Sequence, residues 1–415
     1  MGAADVWRLA KTLGCGGLTV TLSVLMFCSQ FRPLVGGAER QAERLSKALA
    51  KQGVRITVLT PKLHSDSLEY EEDAGVAIRR FPLFDLCRRF PSMPGLGPAN
   101  LLGLSIQTRR AVLEFIETHD LVHAHGISAL TAFALYAAKD LHKPFVCKIA
   151  SSGSGFDLKK LAEIGIGGPF LANYLRDHAT AWIGTTNVVA ESLKDFGVSP
   201  ERVLRIPDGV ELPSLTACCN RTSVRRFLYV GRLSRACDRD FDTLFEAFSR
   251  LVVEYKDAEL AFVGDGDLFE SIKAKACRST FALRVHLPGL IKDPSVWYEW
   301  ADCFVLPSRR EGMSNALIEA MSYGLVCIAN DVPANREVLE DGRVGFLTSV
   351  GSIEELLSTM TRIAAQDNSR MRFGELGSTK AKNEYGIETL ASKHIIIYDD
   401  LIRKESGTIV SNCNK

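Results

Sequence analysis

Short apolar runs rich in β-branched residues alternate along this chain with longer stretches of amphipathic helical period. Such runs, bounded by turn residues, read as buried strands, and their alternation with helices reads as parallel sheets covered on both faces. In the first half, strands are expected at residues 18–27, 55–59, 76–80, 121–124, 145–149, 181–184 and 203–206, with helices at 38–52, 100–118 and 129–141. The period then lapses around Pro207-Asp208-Gly209, and residues 209–223 read as a linker. A second series follows at 226–230, 259–263, 284–287, 303–306, 326–329 and 345–347. The expected fold class is α/β, with one unit over residues 1–208 and another over 224–385. Two such units would face a ligand cleft at the carboxyl ends of their strands.

A chain of 415 residues exceeds one ordinary hydrophobic core, in agreement with this division. The run at 18–28 follows Arg8 and Lys11 and overlaps in composition with a short secretion signal. It is too short to span a bilayer as a helix, and Thr19, Val20, Thr21 and Val24 favour a first buried strand. The charge balance of 50 basic against 49 acidic side chains gives no basic excess that would favour a nucleic-acid partner. Eleven scattered cysteines without a Cys-x-x-Cys pair argue against a zinc ribbon or a disulfide framework, and suit a reducing compartment. No metal ligand set is apparent: His123 and His125 lack a nearby third ligand, and Asp265-Gly266-Asp267 lacks supporting carboxylates.

Candidate chemistry concentrates between Ser308 and Gly324. A strand pattern at 303–306 leads through Glu311 and Gly312 into strong helix formers after Ser314, which Gly324 stops. A helix start favours phosphate, and Gly312 removes a side chain that would hold an anion away. Glu319 would lie about two turns down the helix, roughly 12 Å along its axis. Carboxylates so separated suit the two hydroxyl-bearing ends of an extended ligand with phosphates between them, rather than acid and base at one bond.

The Glu311–Glu319 spacing joins four other motifs in order: Val35-Gly36-Gly37-Ala38-Glu39-Arg40, Asp120-Leu121-Val122-His123-Ala124-His125-Gly126, Pro207-Asp208-Gly209-Val210 and Val230-Gly231-Arg232-Leu233. Together they resemble the retaining GT-B glycosyltransferases of the large group-one family, family four, over roughly residues 18–403. The resemblance implies two Rossmann-like domains, an acceptor bound by the first and a nucleotide-sugar donor bound mostly by the second, with no further cofactor. It also implies that the last helix, 386–403, crosses back to brace the first domain. Carried over residue by residue, Gly36 and Gly37 approach donor phosphate and acceptor, and Arg232 binds phosphate. Glu311 contacts sugar hydroxyls, Gly312, Met313, Ser314 and Asn315 supply backbone near the phosphates and sugar, and Glu319 binds ribose. His125 faces the cleft.

Two departures stand out. The family's second phosphate-binding cation is a lysine, whereas residues 234–244 hold none; Arg239 is the expected stand-in, with Arg235 as runner-up. A histidine found near the sugar in many relatives is replaced by Ala150 or Ser151. The resulting expectation is a retaining hexosyltransferase using an NDP-sugar and a glycan or lipid-linked hydroxyl acceptor, located in the cytoplasm or at the inner membrane face. The alternative is a catalytically weak nucleotide-sugar-binding or regulatory protein on the same fold. A dinucleotide oxidoreductase is disfavoured, because Phe269 stands where the third glycine of that fingerprint belongs. The segment 81–103, with Phe84, Phe90, Arg88 and Arg89, reads either as a packed surface loop or as a peripheral membrane contact.

Overall fold

The computed structural model describes residues 22–33, 36–90, 96–151, 155–165, 167–214, 225–365 and 369–413. The start of the 18–27 strand reading, Val35 of the Gly-rich motif, residues 152–154 after the sixth strand and most of the linker lie outside these residues. Fourteen strands are present among them: β1 (Ser23–Cys28), β2 (Arg55–Lys62), β3 (Tyr70–Asp73), β4 (Val76–Pro82), β5 (Leu121–His125), β6 (Phe145–Ile149), β7 (Ala181–Gly184), β8 (Val203–Arg205), β9 (Arg226–Val230), β10 (Glu259–Val263), β11 (Val285–Gly289), β12 (Cys303–Leu306), β13 (Val326–Asn330) and β14 (Phe346–Thr348). The first sheet runs β3-β4-β2-β1-β5-β6-β7-β8, and the second runs β11-β10-β9-β12-β13-β14. Every pairing is parallel except β3 with β4.

Strand β3 was absent from the sequence reading for a physical reason. Its Tyr-Glu-Glu-Asp text lies on a sheet edge with no buried face, so it carries no apolar alternation. Ala74 and Gly75 turn it into β4, both with positive φ. The central strands behave as expected: β1, β5 and β6 are buried along their whole length, because helices cover both faces.

Helix α1 (Gly37–Lys51) turns Ala42, Leu45, Ala48 and Leu49 inward at helical spacing. It shares one face of the first sheet with α6 (Ile387–Cys413), whose Ile387, Leu390, Ala391 and Tyr398 enter the same core. Helices α2 (Gly97–Ile116) and α3 (Ala129–Asp140) cover the other face. In the second sheet, α4 (Phe241–Glu254) and α5 (Asn315–Ser322) pack on β9 and β12. The chain returns to the first sheet at Val210, whose N–H donates to the Tyr385 carbonyl at 2.8 Å and whose carbonyl accepts from the Ile387 N–H at 3.0 Å.

Candidate active site

In both sheets the strand order reverses beside the first strand, between β1 and β5 and between β9 and β12. Loops leaving adjacent strands there part to opposite faces and open a crevice at the carboxyl ends. The two crevices face each other across a cavity of about 630 Å³. Gly36 and Gly37, after β1, line one side; Arg232, after β9, and Arg239 line the other with Glu311, Met313, Ser314, Asn315 and Glu319. The structure therefore brings together nine of the eleven residues singled out from sequence, and leaves out Gly312 and His125.

Two guanidiniums and a carboxylate form one end. A side chain begun at Gly36 would lie 2.1 Å from the Glu39 carboxylate and 3.3 Å from the Arg232 Nη2, so a larger residue there would meet Glu39 first and then the arginine. Arg239 pairs with Glu311 at 2.7 Å and donates to the Cys237 carbonyl at 3.0 Å. Burial works against the Arg239 charge, but the Glu311 carboxylate outweighs it and holds the guanidinium above its ordinary value. Glu311 also accepts from the Ser308 hydroxyl at 3.0 Å. The runner-up, Arg235, is exposed and does not line the cavity.

The other end is built on α5. Ser314 caps this helix, its hydroxyl accepting from Leu317 N–H at 3.4 Å, and Gly324 follows the last turn with φ +74°. Asn315 donates to the Gly37 carbonyl and accepts from Gln41, each at 3.1 Å. Glu319, one turn further, accepts from the Tyr298 hydroxyl at 2.7 Å and pairs with Arg44 of α1 at 2.6 Å. Burial, followed by the neighbouring Glu319 carboxylate, pushes the Tyr298 hydroxyl well up, so it remains a donor.

Gly312 sits at the seam between the two sheets' loops instead of in the cavity. A Cβ there would come within 1.6 Å of the Ala150 carbonyl oxygen, and its own carbonyl accepts from Thr186 at 3.0 Å. Its missing side chain thus admits the backbone of residue 150. His125 is buried under α6 beside His123, with ring centroids 4.5 Å apart, and near the buried Lys148–Asp208 pair. Burial, and then Lys148, lower its pKa well below the usual range.

Sequence reasoning overlooked Arg40, which lines the cavity, and Arg44 and Tyr298, which hold Glu319. Arg40 and Arg44 are four apart on one helix, so the sequence did carry a shared face. Nothing local marks Tyr298, which reaches Glu319 only through the packing of β12 and its neighbours.

Residues 35–213 match the family described as Glycosyltransferase Family 4, and residues 224–366 match Glycosyl transferases group 1. The chain belongs to this glycosyltransferase family, whose members are retaining enzymes of GT-B fold that transfer sugars from nucleotide sugars to glycan or lipid acceptors. It is 24% identical over 350 residues to UDP-Gal:alpha-D-GlcNAc-diphosphoundecaprenol alpha-1,3-galactosyltransferase of Escherichia coli, covering 80% of this chain and 86% of that one. It is 24% identical over 399 residues to phosphatidyl-myo-inositol mannosyltransferase of Mycobacterium leprae, covering 93% and 99%. Among solved structures, Anabaena HepE in complex with UDP superposes with a TM-score of 0.70 at 16% identity over 91% of this chain and 100% of that one. Sucrose-phosphate synthase from Thermosynechococcus elongatus gives 0.72 at 18% identity over 92% and 100%. These superpositions establish the GT-B fold expected from the motifs.

Proposed function

We propose that this enzyme moves a hexosyl group, with retention, from an NDP-sugar held in the cavity to a hydroxyl of a glycan or lipid-linked acceptor. The observation that carries the reading is the placement of Arg232 and the Arg239–Glu311 pair at one end of the cavity and Glu319 at the other. In this reading the diphosphate lies against Arg232 and Arg239, the sugar hydroxyls against Glu311 and the ribose against Glu319. Fixed guanidiniums aimed at the departing diphosphate stabilise charge that develops as the glycosidic bond breaks. The unit around the first sheet takes the acceptor, residues 209–223 link it to the donor unit over 224–385, and the segment from 386 braces the first.

The test is transfer itself. With a competent donor and acceptor, proton NMR of the product should give the donor's anomeric configuration, and Arg232→Ala or Arg239→Ala should each lower turnover by roughly 10²–10³-fold. Inverted product, or near-normal turnover in both variants, would refute the assignment.

The acceptor side also presents a surface suited to lipid. Phe84 and Phe90 are exposed beside Arg88 and Arg89, and Leu102 and Ile106 stand exposed one turn apart on α2. Apolar tips with flanking guanidiniums match an anionic bilayer surface, and no helix among the described residues is long and apolar enough to cross a membrane. We place the enzyme at the cytoplasmic membrane face on this ground. Flotation with phosphatidylglycerol vesicles should carry the protein upward, and Arg88→Glu with Arg89→Glu should abolish this; equal flotation of the variant would remove the surface from the account.

A further inference from the structure

Binding of ribose by Glu319 does not explain why this carboxylate is tied to the opposite unit. Only 7% of Glu319 is exposed, and each of its oxygens already has a protein partner: Oε1 the Arg44 guanidinium at 2.6 Å, Oε2 the Tyr298 hydroxyl at 2.7 Å. Arg44 belongs to α1, which packs on the first sheet, whereas Glu319 and Tyr298 belong to the second. The pair is part of a longer ladder. Gly37, Gln41 and Arg44 fall on one face of α1, and they meet Asn315 and Glu319, four apart on α5. Gln41 also clamps the linker, donating to the Gly209 carbonyl at 2.6 Å and accepting from the Gly209 N–H at 3.1 Å.

A long, flexible arginine is ordered here at an entropic cost, and its Nη1 is buried without a hydrogen-bond partner. For fold stability alone such a pair is a weak device, since desolvating both ions offsets much of their attraction. Its geometry is better suited to fixing a carboxylate in one orientation. Each carboxylate oxygen keeps a second lone-pair site, so Glu319 accepts ribose hydroxyls while Arg44 and Tyr298 remain in place.

We propose that Arg44 is a positioning residue for the donor, pinning the Glu319 carboxylate from the opposite unit so that the ribose is read by an acid that both units assemble. This inference rests on Glu319 being the ribose ligand. It makes donor recognition depend on α1 being docked against α5, and it assigns to the first unit a part in selecting a ribonucleotide.

The test compares UDP, ADP and GDP with their 2′-deoxy and 3′-deoxy counterparts, by calorimetry, on the wild type, Arg44→Met, Arg44→Lys and Glu319→Gln. The wild type should prefer the ribo form of its nucleotide by about tenfold or more, as sites built to bond a hydroxyl do. Arg44→Met should lose most of that preference while its affinity for the deoxy forms stays near wild type, and Arg44→Lys should retain part of it. A purely structural role would instead weaken ribo and deoxy forms alike. Full preference in both arginine variants with loss in Glu319→Gln would overturn the role of Arg44 and leave the ribose reading standing. Preference kept in Glu319→Gln, or absent from the wild type, would overturn the ribose reading and the inference with it. Binding of none of the three diphosphates would do the same. If Arg44→Met does not fold, Arg44→Lys decides: an undiminished preference there overturns the proposal.

Discussion

At the scale of single residues, the site depends as much on missing side chains as on charged ones. Gly312 was legible as a special position, but its purpose was not. The sequence placed it beside a phosphate, whereas its bare Cα faces the Ala150 carbonyl, because contacts between distant loops are set by how the two sheets meet. Gly312→Ala should therefore leave both folds intact and force the loops apart by about 1.4 Å or more, since the added Cβ would lie 1.6 Å from a backbone oxygen that it cannot approach within 3.0 Å. Misplacement of that order across a reacting pair costs catalysis steeply, and kcat/KM should fall by more than about tenfold with little change in circular dichroism. Wild-type kinetics in this variant would mean that the seam is not needed. Arg239, expected as a stand-in for the family's lysine, does line the cavity, and the structure gives it Glu311 as partner. His125 is buried beside His123 and does not line the cavity, a distinction that a strand-end histidine does not carry in sequence.

Among the elements, those with strong periodicity were legible to within a few residues. The helices expected at 38–52 and 129–141 are Gly37–Lys51 and Ala129–Asp140. The short edge strand β3 was not, since charged residues on both faces leave no period to read. The contact between α6 and the first sheet has its own thermodynamic signature. His123, His125 and His394 are all buried there, and the His123 Nδ1 lies 2.5 Å from the Tyr398 hydroxyl. Burial, then Lys148, lowers the His394 pKa to about 3, and burial first of all lowers those of His123 and His125 well below the usual range. Unfolded histidines take up protons near pH 6.5, so below that pH the unfolded chain binds more protons than the folded one. The stability these groups permit is fully present above about pH 6.5 and falls as pH drops toward the folded values, by about 1.4 kcal/mol per pH unit for each histidine. Urea midpoints should decline clearly between pH 7 and pH 5, and His394→Gln should flatten the decline. A midpoint independent of pH across that interval would show that the cluster is not buried in its neutral form.

For the molecule as a whole, the two sheets and the cleft at their strand ends follow from the alternation of strands and helices and the position of the linker, whereas the strand order is seen only in the structure. What the sequence could not give is the interlock of the two units. The ladder of Gly37, Gln41 and Arg44 against Asn315 and Glu319 joins residues far apart in the chain, and no local pattern announces it. That interlock places the cavity, the proposed donor site, between the units. The most direct measurement is a thermal-shift panel of UDP-, GDP-, ADP- and dTDP-sugars with their free nucleotides, run on the wild type and on Glu319→Ala, because a ligand that prefers the folded state raises its melting temperature. The account predicts a rise for the sugars of one base, with the free diphosphate giving part of it, and its loss in the variant. No rise with any ligand at millimolar concentration, or an equal rise in Glu319→Ala, would contradict it.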